Sequence, residues 1–505
     1  MRIITVLLGL GLFHVGIPTN AKTFYVSAAG SDTSSGTIDQ PFISISKAYS
    51  IAVAGDSIIV RGGTYRIQTT ITISKSGTAI SLYYLFAYPG ERPLLDCSSM
   101  AILGTNRGIR LSANYWYIKG FDIKGAGDNG MYVTGSNNIV ESCSFSENSD
   151  TGLQLSGGAS NNQIINCDSF YNSDPAQGNA DGFSPKLDVG TGNYFYGCRS
   201  WQNSDDGFDG YVRPRPSNPL NTTLENCWSF NNGFLKNGSA SAGNGNGFKM
   251  GGSDSANLEH NFILKRCLAF DNKVKGFDQN NNRGSMTLYN CTGYRNGFNY
   301  NISGSIDSGS TVTVINCVAL GSYGALGSYT VQQTNSWLSP FSITRTDFVG
   351  VDTAGVRGPR KPDGSLPDVT FMHLASGSQL IDAGTNVGLA FLGDGPDLGA
   401  FEFDGQTGIS NQHQAAQPQS YELFQNHPNP FNPTTTIEYY MMTGGRVTIK
   451  VFDILGTMVR VLANGYQPGG QHALRLDANN LASGMYFCSM QVGEFGQVRK
   501  MLLLK

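Results

Sequence analysis

Between residues 22 and 404 the apolar positions come in short runs, such as Asn162-Gln-Ile-Ile-Asn166 and Thr311-Val-Thr-Val-Ile315, with Asn, Gly and Ser at the corners. Runs this short, bounded by turn-forming residues, predict brief strands and turns without helices. Two repeats run through them. One is an apolar-Cys-x-x-aromatic unit, as in Ile165-Asn-Cys167-Asp-Ser-Phe170 and Glu225-Asn-Cys227-Trp-Ser-Phe230. Its cysteines are Cys143, one place late, then Cys167, Cys198, Cys227, Cys267, Cys291 and Cys317, at spacings of 24, 31, 29, 40, 24 and 26 residues. The other is glycine followed by an apolar residue, at Gly130, Gly152, Gly182, Gly207, Gly247, Gly276 and Gly297.

A period of this order predicts a solenoid, and alternating short strands make it a parallel β-helix. Successive coils then pair at ~4.8 Å, so residues in the same phase of the repeat form columns. A propeller would need blades of ~40–50 residues with four antiparallel strands, for which these coils are mostly too short. The cysteines read as one inward column of small buried hydrophobes and not as disulfides. Beyond Phe403 the pattern changes. Residues 405–420 are rich in Gln, Gly, Asn and Ala and read as a linker. From residue 421 to 505 alternation returns in longer stretches, such as Arg446-Val-Thr-Ile-Lys-Val-Phe452, and predicts a small β-sandwich. The expected fold class is all-β throughout.

Composition agrees with this. Charged residues are 14% of the 505, and glycine supplies 64 positions, which excludes a protein of long charged helices. A net charge of −3 provides no basic field, so nucleic acid is not an expected partner, and a polyanionic ligand needs local cations or a metal. Residues 1–21 combine Met1-Arg2, an apolar run from Ile3 to Val15 and the small-residue stretch Thr19-Asn-Ala21, the signature of a signal peptide. No other stretch approaches the ~20 apolar residues of a membrane span.

Aligning the coils on the repeated glycine exposes the chemistry. The residue before it runs Asn129, Thr151, Asp181, Asp206, Asn246, Lys275, Asn296; two after it come Tyr132, Gln154, Ser184, Asp209, Lys249, Asp278, Asn299. Asp181, Asp206 and Asp209 therefore converge on neighbouring coils, and Asp205, two positions before Gly207, joins them. Carboxylates ~5 Å apart repel by roughly 3 kcal/mol at an effective dielectric near 20, and a hard divalent cation offsets this. Calcium suits such a site; zinc would want His or Cys. Lys249 falls in the Asp209 column, one coil later. Lys186, Arg213 and Arg215 are near enough in sequence to meet acidic sugars.

The stretches Asn179-Ala-Asp181-Gly-Phe, Ser204-Asp-Asp-Gly-Phe-Asp209-Gly, Gly245-Asn-Gly-Phe-Lys249 and Lys275-Gly-Phe-Asp-Gln-Asn-Asn-Asn282 resemble the motifs of polysaccharide lyase family 9, the pectate lyases and exopolygalacturonate lyases. The resemblance covers about residues 25 to 404. It implies a right-handed parallel β-helix, Asp181, Asp205, Asp206 and Asp209 as calcium ligands, and Lys249 as the base. It also implies that Asn280 to Asn282 belong to an asparagine ladder, and that Leu380–Gly384 and Pro396–Glu402 form a closing segment. The expected activity is β-elimination of 4-linked polygalacturonate; rhamnogalacturonan, another substrate of the family, stays open, as do a metal-free hydrolase and a non-catalytic polysaccharide binder on the same scaffold. The tail, with its Asn429-Pro-Phe-Asn-Pro433 opening and basic-apolar end, resembles the sorting domain of the type IX secretion system, which implies a secreted or surface protein. A monomer acting on acidic plant cell-wall polysaccharide is expected.

Overall fold

The computed structural model describes residues 21–505 except Ile80, 214–219, 255–257, 406–420 and, near the C-terminus, 427–428, 430, 443, 455–456, 468–469, 494 and 504–505. The expected signal peptide and linker lie almost wholly outside the described residues, as does Arg215. The chain divides into two compact units, one reaching residue 408 apart from Arg360–Asp363, the other C-terminal.

In the first unit each complete coil gives one strand to each of three parallel sheets. The site sheet has 10 strands, from Ile71–Ile73 to Gly324–Leu326; the long sheet has 12, from Thr23–Val26 to Val331–Gln333; the outer sheet has 10, from Gly63–Arg66 to Val318–Leu320. A parallel β-helix is the result. One short helix, Ile45–Ile51, departs from the all-strand pattern. Ser44 Oγ caps it by accepting from the Lys47 N–H, and Ile45 and Ala48 enter the same core as the first coils.

The corners explain the repeats. Between the long and outer sheets the chain turns on one left-handed residue just before each cysteine: Ser142, Asn166, Gly197, Asn226, Arg266, Asn290 and Asn316 all have φ between 52° and 61°. Asn and Gly tolerate that region best, hence the recurring Asn-Cys. The cysteines behind these corners are buried and free, and Sγ of Cys198 donates to Ile164 O of the preceding coil at 3.3 Å. Cys143 is in register after all. Ser144 pairs with Asp168, so the residue that changes phase is the aromatic, Phe145, which sits opposite Ser169 and points into the core.

Between the outer and site sheets runs an asparagine ladder, Asn148–Asn172–Asn203–Asn232–Asn272–Asn296. The Nδ2 of each donates to Oδ1 of the next at 2.8–3.0 Å. A second, shorter ladder joins Asn138, Asn162 and Asn193. Asn280–Asn282 belong to neither, contrary to expectation: Asn282 exchanges bonds with the backbone of His260, and Asn280 Nδ2 donates to Gly251 O. The main ladder also accounts for the glycines. A Cβ on Gly207 would lie 1.9 Å from Ser229 Oγ and 2.6 Å from Asn232 Nδ2. Gly297 breaks this register. Phe277 pairs with Tyr300, which places Asn299 beside Gly276, because Asn299 Oδ1 ends the ladder by accepting from Asn296. This coil therefore contributes Phe298 and Asn301 to the columns, not Asn296 and Asn299.

The outer sheet carries an aromatic stack on its outward face, with ring centroids 5.6 Å apart for Trp201–Phe230 and 4.7 Å for Phe230–Phe270. Phe371, Leu380, Leu398 and Ala400 cover it. The segment expected to close the coils thus flanks the outer sheet, and Arg199 fastens the stretch before it by donating to the carbonyls of Val356 and Gly358.

The C-terminal unit packs a three-stranded antiparallel sheet, Glu422–Leu423, Thr434–Met441 and Gly470–Asp477, on a four-stranded one built from Gly445–Asp453, Met458–Gln467, Gly484–Val492 and Phe495–Leu503. Their inward faces, including Ile437, Tyr439, Ile449, Val451 and Cys488, make its core. This is the expected β-sandwich. Among the described residues no helix is long and apolar enough to cross a membrane.

Candidate active site

On the site sheet, register pairs Phe183 with Phe208 and Phe208 with Phe248, and Asp209 stands directly beside Lys249. Alternation turns the phenylalanines into the core, so the residues on either side of them face outward. Asp209 is one of these; Asp181 and Asp206, two residues before the phenylalanines and just ahead of their strands, join it, with carboxylate oxygens of the three within 4.8 Å of one another. All three are buried. Asp205 is buried beside them, its Oδ1 accepting the Asn244 N–H at 2.6 Å, and it lines the cleft that opens above the group.

Two lysines hold this charge. Lys186 Nζ lies 2.7 Å from Asp181 Oδ2 and 3.7 Å from Asp209 Oδ2, while Lys249 Nζ lies 2.9 Å from Asp206 Oδ2 and 3.2 Å from Asp209 Oδ1. Backbone and hydroxyl donors supply the rest: Asp206 N–H and Ser184 Oγ donate to Asp181, Asn246 N–H to Asp206 Oδ1, and Tyr211 N–H to Asp209. Asp206 Oδ2 is the exception. It is buried without a hydrogen bond, since the nearby Lys249 ammonium offers it charge but no aligned donor. Four carboxylates against two ammonium groups leave negative charge in excess.

The excess governs protonation. Burial first, then the charges of Asp206 and Asp181, push Asp205 up to about 9. Burial pushes Asp206 up to about 7, with Lys249 opposing it and Asp181 adding to it. Asp181 is raised by burial despite Lys186. At Asp209 burial is outweighed by Lys249 and Lys186, and the carboxyl lies below its ordinary value. Burial pulls Lys249 down, but the surrounding Asp206, Asp209, Asp181 and Asp205 carry it well above the ordinary lysine value.

The donor set fits calcium. It consists of buried carboxylate oxygens, one without a hydrogen bond, with no His or Cys among them, and its uncompensated charge is negative. The cleft above it, about 420 Å³, continues along the site sheet from Lys249 and Tyr211 past Gln154 to Tyr132 and Arg107. Of the residues expected to meet sugar, Arg213 and Lys186 both line this cleft; Arg213 is exposed, and Lys186 is buried and engaged with Asp181 and Asp209. Arg107 and Tyr132 form the far end, and only Tyr132 was in the columns. The signal for Arg107 was Gly108-Ile109, an earlier copy of the glycine repeat that pairs with Met131 and puts Arg107 in the column of Asp181 and Asp206.

Residues 24–322 match the family described as the Pel9A-like right-handed β-helix region, and residues 426–504 match the secretion system C-terminal sorting domain. Pectate lyase L of Dickeya chrysanthemi is 39% identical over 403 residues, covering 77% of this chain and 92% of that protein. The crystal structure of pectate lyase Pel9A is similar with a TM-score of 0.71 at 38% identity, over 76% of this chain and 97% of the other. A rhamnogalacturonan lyase structure has a TM-score of 0.64 at 28% identity, over 70% and 97%. The chain belongs to the Pel9A-like right-handed β-helix family, and it is a polysaccharide lyase that its sorting domain directs through the type IX secretion system to the cell surface or beyond.

Proposed function

We propose that this enzyme is a calcium-dependent pectate lyase, with Asp181, Asp205, Asp206 and Asp209 as the calcium ligands and Lys249 as the base. The observation that carries the reading is the position of Lys249, in contact with Asp206 and Asp209 on the adjacent coil and open to the cleft. Calcium, when bound, supplies positive charge that neutralises the uronate carboxylate and offsets the aspartate field at Lys249. Lys249 Nζ takes the C5 proton, the electron pair forms the C4–C5 double bond, the C4–O bond breaks, and the leaving oxygen takes a proton from water. Arg213, exposed on the rim, meets a sugar carboxylate. A hydrolase built on paired carboxylates would leave Lys249 without a role.

The likeness to a rhamnogalacturonan lyase makes that polymer the second substrate to try. The test is the ultraviolet absorbance of products from polygalacturonate and from rhamnogalacturonan, with and without chelator. Calcium-dependent appearance of unsaturated uronate from polygalacturonate is expected. Saturated products only, or turnover that survives exhaustive chelation, would refute the reading.

A further inference from the structure

At the cleft end remote from Lys249, Arg107 is built as a receptor for a carboxylate. Its Nε lies 2.9 Å from Asp128 Oδ2 and 3.4 Å from Asn129 Oδ1, and its guanidinium carbon sits 3.9 Å above the ring of Tyr132. The ion pair at Nε, in which Asp128 Oδ2 receives no aligned hydrogen bond, and the ring along one face together orient the group. Its two terminal amino groups have no partner among the described residues, and the side chain, 16% exposed, lines the cleft. A fixed guanidinium fork with unused donors matches a carboxylate in bidentate geometry, and less of its freedom remains to be lost on binding.

The neighbours are of both signs. Asp128 lies on the Nε side, and Asp150, one coil on, also lines the cleft; both oppose an anion, so the two terminal amino groups of Arg107 must outweigh them. Arg110 adds a second guanidinium, exposed and without a partner among the described residues, on the strand that pairs with Tyr132. Tyr132 itself offers an aromatic face to a sugar ring.

Register fixes the distance. Ile109 pairs with Met131, Met131 with Leu153, Leu153 with Phe183 and Phe183 with Phe208. Arg107 thus stands four coils before Asp206, about 19 Å at ~4.8 Å per coil. Each uronate unit of a chain laid along the sheet advances by about one coil, so Arg107 lies several units from the bond that breaks.

We propose that Arg107, oriented by Asp128 and Tyr132, is a distal subsite that binds a uronate carboxylate and makes the enzyme prefer long chains. This rests on the pectate reading. The test compares kcat/KM on trigalacturonate, hexagalacturonate and polygalacturonate for wild type, Arg107→Gln, Arg107→Lys and Tyr132→Ala, with melting temperatures alongside. For Arg107→Gln the ratio of kcat/KM on hexamer to that on trimer is expected to fall about tenfold, through KM and not kcat, as loss of a charge-assisted bidentate contact requires. Arg107→Lys should recover little of it, because an ammonium lacks the fork, and Tyr132→Ala should lower the same ratio by releasing the guanidinium. Equal losses on trimer and hexamer would make Arg107 a structural residue and overturn the proposal; so would no loss on either. A wild type that eliminates no galacturonate of any length would instead refute the pectate reading and this subsite with it, and the wild-type arm alone distinguishes that case.

Discussion

Lys249 Nζ lies 2.9 Å from Asp206 Oδ2, a buried oxygen that accepts no hydrogen bond. Without a metal the base and a ligand of the proposed calcium site therefore neutralise each other. An ammonium so placed is a poor base, and the carboxylates around it are what hold its proton. Metal binding and base activation are two consequences of one charge balance.

Replacing Lys249 separates them. Lys249→Ala should lower turnover by at least about 10²-fold, the range for losing a general base, without weakening calcium binding, since it removes a competing cation from Asp206 and Asp209. It should also destabilise the metal-free protein by about 3 kcal/mol, because breaking a buried pair leaves a carboxylate uncompensated. Titration calorimetry and denaturant unfolding in chelator measure both. Loss of calcium binding in this variant would make Lys249 a structural partner of the aspartates and not the base.

Calcium should expel protons. In the metal-free protein Asp205 titrates near 9 and Asp206 near 7, so part of the ligand set is protonated at neutral pH and must ionise to coordinate. Affinity is then expected to rise with pH until above about 9. The heat of binding should vary with the ionisation enthalpy of the buffer, and Asp205→Asn should remove most of that variation. A pH-independent affinity would mean that Asp205 stays out of the coordination sphere.

The same groups set how stability depends on pH in chelator. Asp205 and Asp206 have folded pKa values above the unfolded value of about 3.9, so between those limits the folded chain binds more protons than the unfolded one, and stability falls as pH rises. Asp209, shifted the other way, contributes stability that is lost only as the pH falls below about 4. The part owed to Lys249 is intact until pH exceeds the ordinary lysine value of about 10.4. Unfolding midpoints in chelator should be lower at about pH 8 than at about pH 5, and calcium should reduce or reverse the difference.

The coil repeat was legible because one phase of it is constrained in several ways at once. Asn or Gly is needed at the left-handed corner, Cys fits the inward position beside it, and glycine alone fits beside the ladder. Columns read from these glycines placed Asp181, Asp206, Asp209 and Lys249 on one face. Where the constraint relaxes, the reading slips: Gly297 looks like another copy, but Asn299 takes the place beside Gly276 because its side chain ends the ladder. Lys186 illustrates a different limit. Its nearness to the aspartates in sequence could not show that its ammonium is buried against Asp181 and Asp209 at the floor of the cleft. Arg107 enters the columns only with Gly108, one coil before Gly130.

Truncation tests the division of the chain. The sandwich core from Leu423 to Leu503 is closed on itself and includes none of the proposed site residues, so a chain ending at Asp404 should turn over polygalacturonate like the full-length enzyme while failing to reach the surface of its host. The cut cannot be moved far upstream. Phe371, Leu380, Leu398 and Ala400 cover Trp228, Phe230, Phe270 and Tyr294 on the outer sheet, and removing residues 336–403 would bare that aromatic stack. A chain ending near Asn335 should therefore aggregate, although every site residue lies before the cut. Soluble expression, light scattering and kcat on the two truncations decide the matter. If the chain ending at Asp404 were folded but inactive on polymer and short oligomers alike, the C-terminal unit would be part of the catalytic machinery, and the boundary near residue 404 would not separate catalysis from export.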